Sequence, residues 1–357
     1  MAAHGLIHLL GFAKALSPER LSPLTHNIAV PIGLLWLATA ILFIFTAFLL
    51  TQSKNYWWMV GLLTISISQV LLIMSWTDAK FGTIPNLIVL FVIVLAMGSY
   101  FFEKSYERDV VDNLRNNNSL SSELVTTDDI DILPETVQKY IEYTGSVGKP
   151  KVKNMNIVFE GKMRAKGKGY FSFRSEQYNF FTEPSRLFFM KAKIFGLLVP
   201  GYHRYIDTKA SMDIRLFGLI SVSKHSDGAM NKVETVTLFN DMCLMAPATL
   251  IDKRIVWQDI NEDSAKATFT NKNISITATL YFNDKHQLVN FVSDDRVEIN
   301  ENKQYRFSTP VSSYKNFGGY NLPSYGETTW HYPEGDFTYG KFNLKEINYN
   351  VVKRIDK

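Results

Sequence analysis

The chain has 357 residues, 46% hydrophobic and 20% charged, with 38 lysines and arginines against 34 acids. Only six of those charges precede residue 103, so an average composition conceals an apolar N-terminal part joined to a normally charged remainder. The net charge of +4 includes no basic tract that would suit nucleic acid, and a lone cysteine, Cys243, excludes an intrachain disulfide and a cysteine-built metal site.

Residues 4–16 are apolar but too short to span a bilayer, which takes about 20 residues. Two readings stay open for them: an interfacial helix, or the second half of a spanning helix. His4 and His8 are i,i+4 neighbours on one helix face, where interhelical hydrogen bonding is expected ahead of metal or haem ligation. Uncharged stretches at 28–50, 56–76 and 86–102 predict three spanning helices. Tyr56, Trp57, Trp58, Trp76 and Tyr100 sit at their ends, where amphipathic rings favour the headgroup level. Thr64, Ser66, Ser68 and Gln69 make the second span the most polar and are expected to bond to neighbouring helices. Asp78, followed six residues later by Ile84-Pro85-Asn86, resembles the first aspartate motif of prepilin peptidases. An aspartyl protease needs two carboxylates, and the second motif, Gly-x-Gly-Asp, does not occur in the chain. The protease reading is rejected.

Residues 104–132 are polar, include Asn116-Asn117-Asn118, and read as a juxtamembrane helix fraying into a linker. Leu133, Val137, Tyr140 and Ile141 lie at helical spacing, opened by Pro134 and stopped by Gly145, which predicts a helix over 133–144. Beyond Pro150 the period becomes two. Ile274, Ile276, Ala278, Leu280 and Phe282 alternate with polar neighbours, the pattern of a half-buried antiparallel strand, and the chain turns at 283–286 into a return strand from Leu288. Similar runs near 152–160, 169–181, 186–195, 202–207, 211–217, 254–260, 265–270, 304–309, 326–332 and 337–350 predict a long meander. One helix interrupts it: Met230, Val233, Val236, Phe239 and Met242 keep a three- to four-residue period over 228–245, with Asp227 as N-cap and Pro247 as stop. Met230, Val233 and Met242 are expected to face inward. The expected fold is N-terminal transmembrane helices (residues 1–103), a juxtamembrane linker (104–132) and an α+β soluble domain (133–357). That domain is expected to be a large curved antiparallel sheet, an unclosed barrel, with a central helical insert.

Several segments together carry a family resemblance: HGLIHLLGFAKA near the start, DAKFGT with Asn86, LPETVQKYIEYTG at 133–145 and NDMCLMAPATLID at 240–252, followed by Trp257. Asp295-Arg296 and Tyr339-Gly340 complete the set. With these the chain resembles, over nearly its whole length, a bacterial family of membrane-anchored proteins described as a domain of unknown function. The resemblance implies a soluble domain similar to the lipoprotein-carrier (LolA-like) fold, with helices plugging the open side of the barrel. It also implies a first helix that begins several apolar residues earlier than Met1. It supplies no activity.

Catalytic motifs are not evident. His203, His225, His286 and His331 form no HxxxH or HExxH pair, and Gly161 to Gly167 lacks the lysine of a phosphate loop. Cys243 falls on an apolar helix face beside Met242, which reads as a buried inert thiol. Neither a metal nor a cofactor is expected. Asp241, Arg296 and Glu327 are the candidates for a charged cluster at a cavity rim, with salt bridging between sheet and helix as their ordinary role, and Trp257 is a further candidate ligand contact. The aromatic richness of the strands suits either a packed core or the lining of an apolar cavity. The function expected is a membrane-tethered binding or carrier module for a lipid or acyl chain; the alternative is a structural or protein-interaction domain that is solidly packed. The expected partners are the bilayer, an apolar ligand or another protein. Loop charges, Lys14, Arg20 and Lys80 on one side against Lys54, Lys104, Arg108 and Arg115 on the other, leave topology nearly balanced. The likeness to extracytoplasmic carriers places the expected soluble domain outside a bacterial cytoplasmic membrane.

Overall fold

The structure, a computed structural model, describes residues 1–21, 24–116 and 123–355 and divides into two compact units, Met1–Phe102 and Glu103–Lys357. Residues 117–122, which include Asn117 and Asn118 of the expected linker, lie outside the described residues.

The first unit packs α1 (Ala2–Leu16), α2 (Val30–Thr51), α3 (Trp57–Met74), a single turn α4 (Trp76–Ala79) and the first part of α5 (Thr83–Asn116). Three helical stretches of the chain, Val30–Thr51, Trp57–Met74 and Trp76–Asn116, the last continuing into the second unit, are long and apolar enough to cross a bilayer by length and composition. Gly11 of α1 makes room for a ring of α2: a Cβ there would lie 2.3 Å from the Trp36 ring. The polar side chains of this unit bond between helices, as their spacing suggests. His4 Nε2 donates to Asn86 Oδ1 (3.0 Å), and His8 Nδ1 donates to the His4 carbonyl (3.0 Å), leaving Nε2 to accept from Ser68 Oγ (2.8 Å). Asn86 Nδ2 donates to Ser68 and Gln69, and Thr64 meets Thr46. Ser66 instead bonds back to the Leu62 carbonyl within its own helix. Asp78 ties down the preceding loop by accepting from Thr25 Oγ1 and His26 N, both at 2.8 Å.

The second unit begins with the last turns of α5. The juxtamembrane helix expected at the start of 104–132 runs to Asn116 and is packed, with Tyr106, Val110 and Leu114 recurring every four residues and buried. Tyr106 stacks on Phe189 and meets Tyr202 edge-on, and Asp109 accepts from Tyr202 Oη (2.7 Å) and Arg204 Nε (3.0 Å). The stripe packs because the strands beneath carry apolar residues on both faces. Two short helices follow, α6 (Thr127–Ile130), closed by a capping box between Thr126 and Asp129, and α7 (Glu135–Tyr143).

The strands are β1 (Asn154–Met163), β2 (Phe171–Phe180), β3 (Ser185–Ile194), the two-residue β4 (Leu197–Leu198), β5 (Gly201–Ile206), β6 (Lys209–Leu216) and β7 (Ile220–His225). Helix α8 (Gly228–Met245) intervenes. Then come β8 (Ile255–Asn261), β9 (Ser264–Asn271), β10 (Ile274–Phe282), β11 (Leu288–Ser293), a small hairpin of β12 (Val297–Glu298) and β13 (Lys303–Gln304), and the long β14 (Arg306–Phe317), β15 (Tyr320–Tyr332) and β16 (Gly335–Tyr349). All pair antiparallel, in the order β7-β6-β5-β3-β2-β1-β16-β15-β14-β11-β10-β9-β8, with β4 beside β3. The edge strands β7 and β8 do not pair with each other, so the sheet is an unclosed barrel and α8 is the chain's path from one edge to the other. The gap is bridged by side chains: Tyr205 Oη meets Thr235 Oγ1 of α8 (2.7 Å) and accepts from Asn271 Nδ2 of β9 (2.8 Å), while Asp207 pairs with Lys272.

Asp227 caps α8, accepting from Met230 N at 2.8 Å. Instead of one inward face, the helix is buried almost all round, because it lies in the concavity of the sheet. On one side Phe239 stacks on Phe269 (5.2 Å between centroids) and meets Phe291 edge-on (5.9 Å). Ala265, Ala267 and Ala278, all buried, let the helix come close there. Cys243 sits in this packed part, where burial pushes its thiol pKa well above the ordinary value.

Candidate functional site

The other side of α8 is not filled. A cavity of about 630 Å³ lies between the helix, the concave face of the central strands and the β12–β13 hairpin. That is within the usual range for a ligand pocket, about 300–1,000 Å³. Its walls are mostly apolar and aromatic: Phe159, Phe188, Met190, Phe307, Trp330 and Phe342 contribute from the sheet, and Met230, Val233 and Leu244 from the helix. Toward the β15–β16 turn the rings form a ladder, with Trp330 stacked on Tyr332 (6.2 Å) and Tyr339 (6.4 Å), and Tyr332 on Phe337 (6.4 Å).

One wall is polar, and strand register builds it. Antiparallel pairing sets Asn179 opposite Arg186 and Arg186 opposite Tyr205; the next row is Gln177, Phe188 and His203. On α8, Glu234 and Asp241 are seven residues apart, two turns along one face, and meet these rows. Arg186 donates from Nη1 to Glu234 Oε2 (3.0 Å), from Nε to Asp241 Oδ2 (2.8 Å) and from Nη2 to Gln177 Oε1 (3.1 Å). Asp241 Oδ2 also accepts from Gln177 Nε2 (2.7 Å) and Asn179 Nδ2 (3.0 Å), and His203 Nδ1 lies 2.8 Å from Glu234 Oε1. Glu234 is 2% exposed. Burial alone would raise its pKa, but the charge of Arg186 and the hydrogen bond with His203 outweigh that and hold it down to about 2. This network fastens α8 to the sheet while its neighbours line the cavity.

The residues singled out from the sequence part company here. Asp241 and Arg296 both line the cavity, whereas Glu327 and Trp257 do not. Asp241 belongs to the Arg186 network. The Arg296 guanidinium instead lies over the rings of Phe307 (4.1 Å) and Trp330 (5.4 Å). Glu327 is held on β15 by Tyr325 and by Lys341 (3.3 Å). Trp257 packs against the core and donates from Nε1 to the Leu250 carbonyl (3.3 Å). The three acids and bases expected at one rim therefore do not form a cluster. Arg186, Glu234 and Gln177 were not singled out, and His203 only as a histidine without a metal-binding pair, although a charge between Val233 and Val236 and another at the head of the run Leu187, Phe188 and Phe189 are visible anomalies. Among the described residues no group of three His, Cys, Asp or Glu side chains is placed to hold a metal ion.

This architecture, an open antiparallel barrel with a helix buried in its concavity and an apolar cavity beside that helix, defines a helix-filled half-barrel. Residues 123–342 match the model of the Family of unknown function (DUF6544), and the chain belongs to that family. No curated protein matches the sequence. Among solved structures the chain is similar to a LolA superfamily protein from Nitrosomonas europaea (8% identity, 61% of this chain and 95% of that one, TM-score 0.37). It is also similar to a domain assigned to outer-membrane lipoprotein sorting from Vibrio parahaemolyticus (10% identity, 60% and 91%, TM-score 0.35). A beta-barrel-like protein of another domain of unknown function, from Brucella abortus, has a TM-score of 0.18 at 7% identity, covering 56% of this chain and 99% of that one.

Proposed function

We propose that the second unit binds a single-chain apolar ligand, such as an acyl chain, and exchanges it with the bilayer to which the apolar N-terminal helices tether it. The observation that carries this reading is the unfilled half of the barrel. The helix packs tightly against Phe269 and Phe291 on one side, yet leaves about 630 Å³ lined by aromatic and methionine side chains on the other. Interiors pack closely, and a void of this size inside a solid core would forfeit contacts along its whole wall. A chain of about twelve methylenes entering it would gain roughly 10 kcal/mol before the costs of association, enough for micromolar binding without any covalent step. The alternative of a solidly packed interaction domain has no use for such a space.

The test is titration of the full chain, held in amphipol, with a dansylated fatty acid, beside a Thr237→Trp variant. Thr237 lines the cavity from α8, so the indole projects into it and obstructs an entering chain. Saturable fluorescence enhancement with the native chain, lost in the variant while its circular dichroism is unchanged, is the expected result. Equal enhancement by both chains, or none by the native one, would refute the proposal.

A further inference from the structure

We propose that Arg296 anchors an anionic headgroup, a carboxylate or phosphate, on the chain that occupies the cavity; this rests on the chain-binding reading above. Three arginines line the cavity, and they differ in what they touch. Arg186 is fully engaged by Glu234 and Asp241. Arg164 donates from Nε to the Thr338 carbonyl (2.9 Å) and lies over the rings of Tyr170 and Phe337. Arg296 has ring neighbours, but among the described residues no carboxylate and no hydrogen-bond acceptor reaches its guanidinium, and its Nε is buried without a partner.

The position is built rather than incidental. The preceding residue, Asp295, is locked from two directions: Lys232 Nζ of α8 lies 2.8 Å from Oδ1, and Thr277 of β10 donates to Oδ2 from N (2.7 Å) and Oγ1 (2.8 Å). That fixes the backbone from which Arg296 reaches across Phe307. Stacking on rings occupies the face of a guanidinium, whereas its N–H donors lie in the plane and stay free. A buried donor left unmatched costs about 1–3 kcal/mol, and the planar fork matches a carboxylate or phosphate with two parallel bonds. The acids nearby already have partners. Glu298 accepts from Asn300 Nδ2 (2.9 Å) and Glu301 N (2.7 Å), Glu301 accepts from Tyr305 Oη (2.7 Å), and Glu234 and Asp241 hold Arg186. Among the described residues, Arg296 is thus the cavity arginine whose guanidinium makes no hydrogen bond and whose Nε is buried unmatched, set beside an apolar space that takes a chain.

The experiment uses the full chain in amphipol loaded with the dansylated fatty acid, and measures displacement by dodecanoate, dodecyl phosphate, dodecanol and inorganic phosphate. The two anionic amphiphiles should displace the probe at least about tenfold better than dodecanol, the effect of one charge-assisted pair. Inorganic phosphate should not displace it. In Arg296→Gln the anionic preference should vanish while dodecanol displaces as before, which also shows that the variant is folded. Equal displacement by all three amphiphiles in the native chain, or a preference that survives Arg296→Gln, would overturn the headgroup assignment and leave chain binding standing. Displacement by inorganic phosphate alone would overturn it in favour of a free-anion site. Absence of saturable probe binding would instead overturn the chain-binding reading beneath it.

Discussion

Replacing Arg186 with methionine removes the centre of the network that joins α8 to the sheet. The substitution keeps the volume nearly constant, so the effect is electrostatic rather than a cavity. Glu234 and Asp241 then lose contacts of 3.0 and 2.8 Å and face each other with only Gln177, Asn179 and His203 to compensate. Breaking a buried pair by deleting one partner costs about 3–5 kcal/mol. For a unit of this size, at about 2–4 °C per kcal/mol, that lowers the thermal midpoint by about 6–20 °C. The variant carries its own control in pH. Without Arg186, the largest force opposing burial is gone and only His203 and the charge of Arg296 remain against it, so the Glu234 pKa rises, acid neutralises it more readily, and the deficit against the native chain narrows between pH 7 and pH 4. Replacing all three residues together, as Arg186→Met, Glu234→Met and Asp241→Leu, should restore most of the loss. The assay is scanning fluorimetry of the full chain in amphipol. An unchanged midpoint for Arg186→Met, or a deficit that grows on acidification, would refute the reasoning.

On the packed side of α8, Phe239→Ala removes a fully buried ring from between Phe269 and Phe291 and should cost about 3–5 kcal/mol by denaturant titration; a loss below about 1 kcal/mol would mean the ring is not enclosed. Tyr106→Ala should cost a similar amount, about 3–5 kcal/mol, because the end of α5 packs on the sheet; a free linker would show no change in the same assay. In the native chain Glu234 is held at about 2 against an ordinary 4.5, so its contribution, about 3 kcal/mol, is complete above pH 4.5 and lost as pH falls toward 2. Asp295, where Lys232 and Thr277 overcome the upward pull of burial, acts in the same direction, and urea midpoints that stay flat from pH 6 to pH 3 would contradict both. An alkaline phosphatase fused after Lys357 should be active in cells if the second unit lies outside the cytoplasmic membrane; an inactive fusion would place it inside.

Much of the architecture was legible because burial imposed a period on the residues. The alternation from Ile274 to Phe282 is β10 itself, and Met230 to Met242, with Asp227 before and Pro247 after, marks α8 to the residue. What escaped notice lay where a period is masked or absent. Tyr106, Val110 and Leu114 are a buried stripe diluted by the charges around them. The edge strand β7 is largely exposed, so no core face disciplines its residues. Strands β14 and β15 run longer than their apolar patches, since backbone pairing continues through polar positions. The site was the least readable part. Asp241 and Arg296 stood out as charges, but what they meet is set by strand register, β2 against β3 for Asp241 and β14 against β15 for Arg296, and register is a property of the assembled sheet. Arg186 and Glu234 could have been found as charges bordering apolar residues, Leu187–Phe189 for the first and Val233 and Val236 for the second.

Native mass spectrometry of the full chain, purified from cells in mild detergent, tests the central claim most directly. The account predicts one co-purified single-chain amphiphile per native chain, absent from the Thr237→Trp variant prepared alongside. A native chain that flies at its sequence mass alone, or an adduct retained equally by the Thr237→Trp variant, would contradict it.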